Sequence, residues 1–337
     1  VAAAHAARGR REPILDWIPA ARDRAAEDVE HVHQLRVITR RADAVLKAFR
    51  PSFRPQRWKK MRKALRALRQ SAGEARTSDV HLLTLDEERK AAASNERRAA
   101  LRYAINETKR DRSAAQQHIV QAGEKYDEKE IESRIARLLA KVEPVTVAQL
   151  IDHHNEMVRA DELPEVDLPD AVTDVKKRST ATFSHAAQLD LPSLMRAMRD
   201  AADEDLGEYL HLHELRLAGK RLRYAIELYV ECFLPVVREE IYPRLKGMQD
   251  QLGEINDCHE LAIRFEGLVE RARQDESGAA AVELAPGPLA HLLHEEADRY
   301  RAEREERRAA FLPWWAEHRE EILFDPREYL LAGAASV

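Results

Sequence analysis

Apolar residues recur at helical spacing along most of this chain. Between Val32 and Phe49, a plot at 100° per residue places Leu35, Ile38, Ala42, Val45, Leu46 and Phe49 within about 100° of one another. That is the stripe of a helix burying one face. His33, Arg36, Arg40 and Lys47 form a second stripe roughly opposite. The next segment repeats the design. Met61, Leu65, Leu68 and Ala72 make its apolar side, and Lys59, Arg62, Arg66 and Arg69 occupy another face. Alternating, strand-like runs are missing, and Ala, Leu, Arg and Glu dominate. The pattern predicts an all-α protein with breaks at Pro51–Pro55, Gly73, Pro144, Pro192, Pro235 and Gly253. A loop is expected over Glu276–Pro288.

The pattern occurs twice. With residues 31–74 laid over 211–254, a constant offset of 180, ten positions are identical. They include His31/His211, His33/His213, Leu35/Leu215, Arg36/Arg216, Phe53/Phe233 and Gly73/Gly253. Chance would supply about three, so an internal duplication is the simpler account. In the second copy Leu215, Ala218, Leu222, Ala225, Ile226 and Tyr229 face inward. His213, Arg216 and Lys220 share the other face, with Arg223 at its edge. The following helix keeps its apolar set as Ile241, Leu245, Met248, Leu252 and Ile255, while its basic set thins to Arg244 and Lys246. The acidic, proline-containing stretch Asp161–Asp170 reads as the linker, giving a first half over 13–165 and a second over 171–320.

Charge sharpens this picture. The chain has 55 Lys and Arg against 60 Asp and Glu, a net −5 that argues against a general nucleic-acid binder. From His31 to Gln70, however, 13 basic residues face a single acid, Asp43. From Glu124 to Asp170 the balance reverses, with 13 acids against 6 bases. A solvated helix face normally intersperses acids for i, i+4 pairing, and the first basic stripe has almost none. Like charges on successive helices repel unless an anion neutralises them, so the stripes of both halves point to a linear polyanion. No stretch approaches the roughly 20 apolar residues of a membrane span. The opening residues, Val1–Arg11, lack an apolar signal core, so a soluble cytoplasmic protein is expected.

The same residues resemble the paired signatures of the CHAD domain, the conserved histidine α-helical domain. They are His33-Gln34-Leu35-Arg36-Val37 with Arg40-Arg41, and His213-Glu214-Leu215-Arg216 with Lys220-Arg221-Leu222-Arg223-Tyr224. Gly73-Glu74-Ala75-Arg76 and Leu252-Gly253-Glu254-Ile255-Asn256-Asp257 resemble the second landmark of each half. The likeness runs from about Pro13 to about Trp315. It implies a single domain of two similar helical bundles about a pseudo-two-fold axis, with a basic central groove. It also implies binding of inorganic polyphosphate and association with polyphosphate granules. Carried over by motif, the contacts are His33, Arg36, Arg40, Arg41, His213, Arg216, Lys220 and Arg223. Lys59, Arg62, Arg66, Arg69 and Arg76 extend the path by helix position. The sequence departs from the family where Thr77 follows Arg76 and where Asn256 replaces an arginine. Glu128-Lys129-Glu130-Ile131-Glu132 lacks the lysine of the triphosphate tunnel domain that many relatives carry.

Other chemistries find less support. His31 and His33, like His211 and His213, are two residues apart and point about 200° away from each other on a helix, so neither pair can hold one metal ion. His31 and His211 fall on the apolar side and read as buried, satisfied histidines. Cys232 and Cys258 form neither a disulfide framework nor a zinc set. Glu74, Asp79, Glu254 and Asp257 read as partners of neighbouring arginines rather than as Mg²⁺ ligands. No nucleophile motif or P-loop occurs, so no catalysis, cofactor or metal is expected. Trp58, Tyr224 and Tyr229 read as too few and too apolar-facing for a base-stacking platform. The alternatives left open are a helical scaffold and a binder of nucleic-acid backbone without polyphosphate specificity.

Overall fold

Helices form where the apolar spacing puts them. The structure, a computed structural model, describes residues 11–167 and 179–331. The first half comprises α1 (Arg11–Asp23), α2 (Glu30–Ala48), a 3₁₀ turn (Arg50–Ser52), α3 (Pro55–Ser71), α4 (Gly73–Ala91), α5 (Asn95–Lys125), α6 (Glu128–Leu139) and α7 (Val147–Arg159). The second comprises α8 (Phe183–Ala202), α9 (Tyr209–Leu228), a 3₁₀ turn (Val230–Cys232), a π turn (Val237–Ile241), α10 (Tyr242–Gln274), α11 (Glu276–Ala281), α12 (Pro286–Ile322) and α13 (Pro326–Tyr329). Among the described residues only isolated β-bridges occur, and no strand. Starts are set chemically. Ser94 and Asp127 accept N-terminal amides of α5 and α6, and Thr146 and Thr182 make capping boxes on α7 and α8.

The 180-residue offset survives as matched contacts. The two 3₁₀ turns coincide under it. Phe53 bridges Val142 and Phe233 bridges Leu330. His31 Nδ1 lies 2.7 Å from the Arg24 carbonyl, and His211 Nδ1 lies 2.8 Å from that of Asp205. Both histidines are therefore satisfied structurally, as expected, although they are partly exposed rather than buried. Every residue of the four apolar stripes read from the sequence is buried.

Three expected interruptions are not seen. Pro192 lies inside α8, buried among Leu189, Leu191 and Met195. Burial of this apolar neighbourhood offsets the backbone hydrogen bond a proline cannot make. Gly253 lies inside α10, because Leu252 and Ile255 continue the buried stripe across it. The loop expected over Glu276–Pro288 contains α11, capped by Asp275, and the first residues of α12. The acidic region from Glu124 contributes α6 and α7. The final residues of the expected linker, 168–170, lie outside the described residues, as does the chain start through residue 10.

Two cores result. The larger joins α1–α3, α8 and α9 with the near ends of α10 and α12. The smaller joins the far ends of two long hairpins, α4–α5 from the first half and α10–α12 from the second. Leu85, Leu101 and Tyr103 meet Leu261, Phe265 and Tyr300 there. The halves thus share buried surface at the hairpin tips, and α2 packs directly on α9. That last contact is what places the two basic stripes together.

Candidate functional site

The site is built on α2 and α9, whose apolar stripes fix their rotation and so aim the opposite faces at each other. Arg40 on α2 donates from Nη1 to the phenolic oxygen of Tyr224 on α9 at 3.0 Å. Beside it, Arg41 pairs with Glu227 of α9 at 3.1 Å. Arg36 donates to the backbone carbonyl of Arg69 on α3 at 3.0 Å. Gly73 lies beside it: a Cβ there would stand 3.3 Å from Arg36 Nη1, a tight approach. The guanidinium thus sits at the break between α3 and α4.

The electrostatics confirm the crowding. Burial lowers the Arg36 pKa, and Arg40, Arg69 and Arg76 push it further, to about 10. Lys220 falls to about 7, from burial first and then from Arg216, Arg40 and Arg223, with Asp257 opposing. Arg216 is lowered by burial, with Asp257 and Tyr209 opposing and Arg40 adding to the fall. Arg40 thus acts on cations of both halves. Burial alone would raise the Tyr224 pKa, but Arg40 and Arg223 outweigh it and the phenol is lowered. Asp257 rises through lost hydration, opposed mainly by Arg216. Asp257 itself is solvent-exposed.

The remaining predicted residues divide into three groups. Arg76 joins the cluster beside His33 and Arg36 and forms no ion pair among the described residues. His33 is held below its ordinary pKa by burial and by Arg76, with Arg40 and Arg36 contributing. Arg62 and Arg69 are engaged by Asp43, at 2.6 Å and 3.7 Å, and Arg62 also lies over Trp58. Arg223 is 3.9 Å from Glu227 and is partly neutralised by it. His213 meets Asn256 Oδ1 at 3.1 Å, which Tyr209 also engages. The asparagine that departs from the family pattern therefore holds the motif histidine. Lys59 and Arg66 lie on the exposed face of α3. Arg66 acts on Arg69, whereas no contact ties Lys59 to the cluster.

Sequence reasoning missed Tyr224 by reading it as apolar-facing; it stands among the arginines. Its position next to Arg223 in the motif was the available signal. The acids read as arginine partners behave so at Asp79, 2.5 Å from Arg112, and at Glu254, which pairs with Arg307. Glu74 instead meets His118 at 3.7 Å. Among the described residues no group of three or more His, Cys, Asp or Glu side chains is arranged to hold a metal ion. No described helix is long and apolar enough to cross a membrane. Both cysteines are buried and free.

A duplicated helical domain with facing basic helices is the class these features define. The model of the CHAD domain family matches residues 5–266, and the chain belongs to that family. The crystal structure of the CHAD domain from the plant Ricinus communis is similar, at 20% identity and a TM-score of 0.55. It covers 91% of this chain and 89% of its own. PptA from Streptomyces chartreusis is similar at 19% identity and a TM-score of 0.54, over 94% of this chain and 98% of its own. These likenesses establish the fold. No match is found among curated proteins.

Proposed function

We propose that this protein binds inorganic polyphosphate in the groove between α2 and α9, without catalysing a reaction on it. The observation that carries the reading is the concentration of desolvated cations from both halves in one place. Arg36, Arg40, Arg76, Arg216 and Lys220 depress one another's protonation or that of their neighbours, and few carboxylates answer them. A fold keeps such repulsion only at a cost, and a closely spaced polyanion removes it. Arginine chelates phosphate oxygens in a fork, while Lys220 adds a mobile point charge. The aromatic groups nearby have occupied ring faces: His259 stacks on Tyr209, over which Arg304 also lies, and Arg223 lies over Tyr224. That arrangement supports phosphate recognition over base stacking. Association with polyphosphate granules follows as the cellular consequence of the same binding.

The test is titration calorimetry with long-chain polyphosphate, using RNA of matched charge as competitor. The quadruple variant Arg36→Ala, Arg40→Ala, Arg216→Ala, Lys220→Ala is titrated in parallel. Salt-sensitive binding that RNA does not displace and the variant loses is expected. Equal binding by the variant, or none by the wild type, overturns the reading.

A further inference from the structure

Under the 180-residue offset Gln249 occupies the place of Arg69, and Arg223 that of Asp43. In the first half Asp43 receives Arg62 and Arg69. The second half has no acid at that place, and an arginine at 249 would meet the cation at 223 instead. Glutamine keeps two N–H donors at the position and drops the charge. Its amide is nonetheless unsatisfied: Gln249 is 6% exposed, and neither Nε2 nor Oε1 has a partner. A buried amide without partners is costly, so its retention calls for a reason.

Its location supplies one. Gln249 Nε2 lies against the backbone of Gly219, where an added Cβ would collide with it. On α9, Gly219 is about 60° from Arg216 and about 40° from Arg223 around the helix axis, with Lys220 the next residue. The Nε atoms of Arg216 and Arg223 are likewise buried without hydrogen-bond partners, Arg223 Nε meeting Glu227 only at 3.9 Å. Gly219 is buried where the basic stripe meets the apolar face, and the free amide fills the space its missing side chain leaves.

We propose that Gln249 is a further ligand contact, a neutral donor that gives an N–H to a phosphate oxyanion alongside Arg216 and Lys220. This assignment rests on the polyphosphate reading above. It makes the second half, which carries fewer cations on this helix, the half with more unanswered donors.

Long-chain polyphosphate is titrated into wild type, Gln249→Met, Gln249→Glu and Arg216→Ala at several salt concentrations, and each variant's unfolding midpoint is measured. Gln249→Met keeps the length of the side chain and removes both orphaned atoms, so its midpoint is expected to hold or rise. Its affinity should fall about tenfold at every salt concentration with no change in salt slope, because glutamine neutralises no phosphate. Arg216→Ala should instead make the slope shallower by about one. Gln249→Glu replaces the donor with an anion beside Arg223; it should fold well and bind more than about a hundredfold more weakly. Wild-type affinity in either Gln249 variant, while the wild type binds, sinks this inference alone. Absence of binding by the wild type sinks the polyphosphate reading and this assignment together.

Discussion

The groove and the hairpin tips use the same side chain in opposite ways. At the tips, Glu296 is 6% exposed and lies 2.5 Å from Arg97 and 2.9 Å from Arg299. Glu88 pairs with the same two arginines at 2.6 Å and 3.2 Å. Burial would raise the Glu296 pKa, but the two guanidiniums outweigh it and the carboxyl is lowered. In the groove burial lowers the pKa of Arg36 and Arg216; Arg40, Arg69 and Arg76 lower Arg36 further, while Arg216 is lowered by Arg40 and opposed by Asp257. Charge that holds the halves together is matched within the protein. Charge proposed to bind a ligand is left for the ligand to match.

The largest effect is expected where matching is complete. Glu296→Ala removes the buried acid at the junction of α4, α5 and α12, leaving Arg97 to Glu88 and Arg299 to Glu88 and Glu303, and should lower the unfolding free energy by about 3 kcal/mol. Chemical denaturation measures this directly, and polyphosphate affinity under folding conditions should stay near wild type. A loss below about 1 kcal/mol would mean that water already screens the network, and the contrast between the two regions would weaken.

The next test lies within the groove, where both kinds of arginine occur on neighbouring helices. Arg62 is answered by Asp43 and packed over Trp58, whereas Arg76 stands beside His33 and Arg36 with no ion pair, Asp79 acting on it only at longer range. Arg76→Ala should cost about 1.5–3 kcal/mol of polyphosphate binding, ten- to a hundredfold, with stability held or raised. Arg62→Ala should cost about 1 kcal/mol of stability and change affinity less than about threefold. Calorimetry and denaturation on the two variants read both quantities. Equal affinity losses would show that any arginine on these helices serves alike.

That contrast also marks how far the sequence could be read. Apolar spacing and the 180-residue offset were sufficient for the helices, their buried faces and the shared scaffold, because burial acts on every third or fourth residue and leaves a visible period. Which arginines are free depended on pairing across the fold. Asp43 was visible as the lone acid among the first-half bases, yet only the structure shows it between Arg62 and Arg69. Glu227 reaches Arg41 across the α2–α9 contact, 186 positions away in the chain by subtraction of the numbers. Tyr224 was quoted within a motif and still read as apolar-facing, since helix angle alone does not tell that Arg40 stands opposite. Helix ends failed where burial overrode breakers, at Pro192 and Gly253.

The mildest perturbation, a change of pH, is also the most diagnostic of unmatched charge. Lys220 faces Arg216, Arg223 and Asp257 from the second half and Arg40 from α2, and titrates near pH 7 in the folded protein against about 10.5 when unfolded. Between pH 7 and 8.5 the unfolded chain therefore holds a proton that the folded chain releases, and stability should rise with pH at up to about 1.4 kcal/mol per unit. His33, lowered by burial and by Arg76, does not gain a proton in this window. Bound phosphate favours the charged ammonium, so ligand binding should take up a proton and weaken by about tenfold across the same range. Stability and affinity thus move in opposite directions as pH rises. Lys220→Met should flatten both trends, since it carries no proton in either state. Calorimetry in buffers of different ionisation enthalpy counts the proton taken up. A wild-type protein that binds polyphosphate with no proton uptake at pH 8 would place Lys220 away from the ligand and confine the unmatched charge to the arginines.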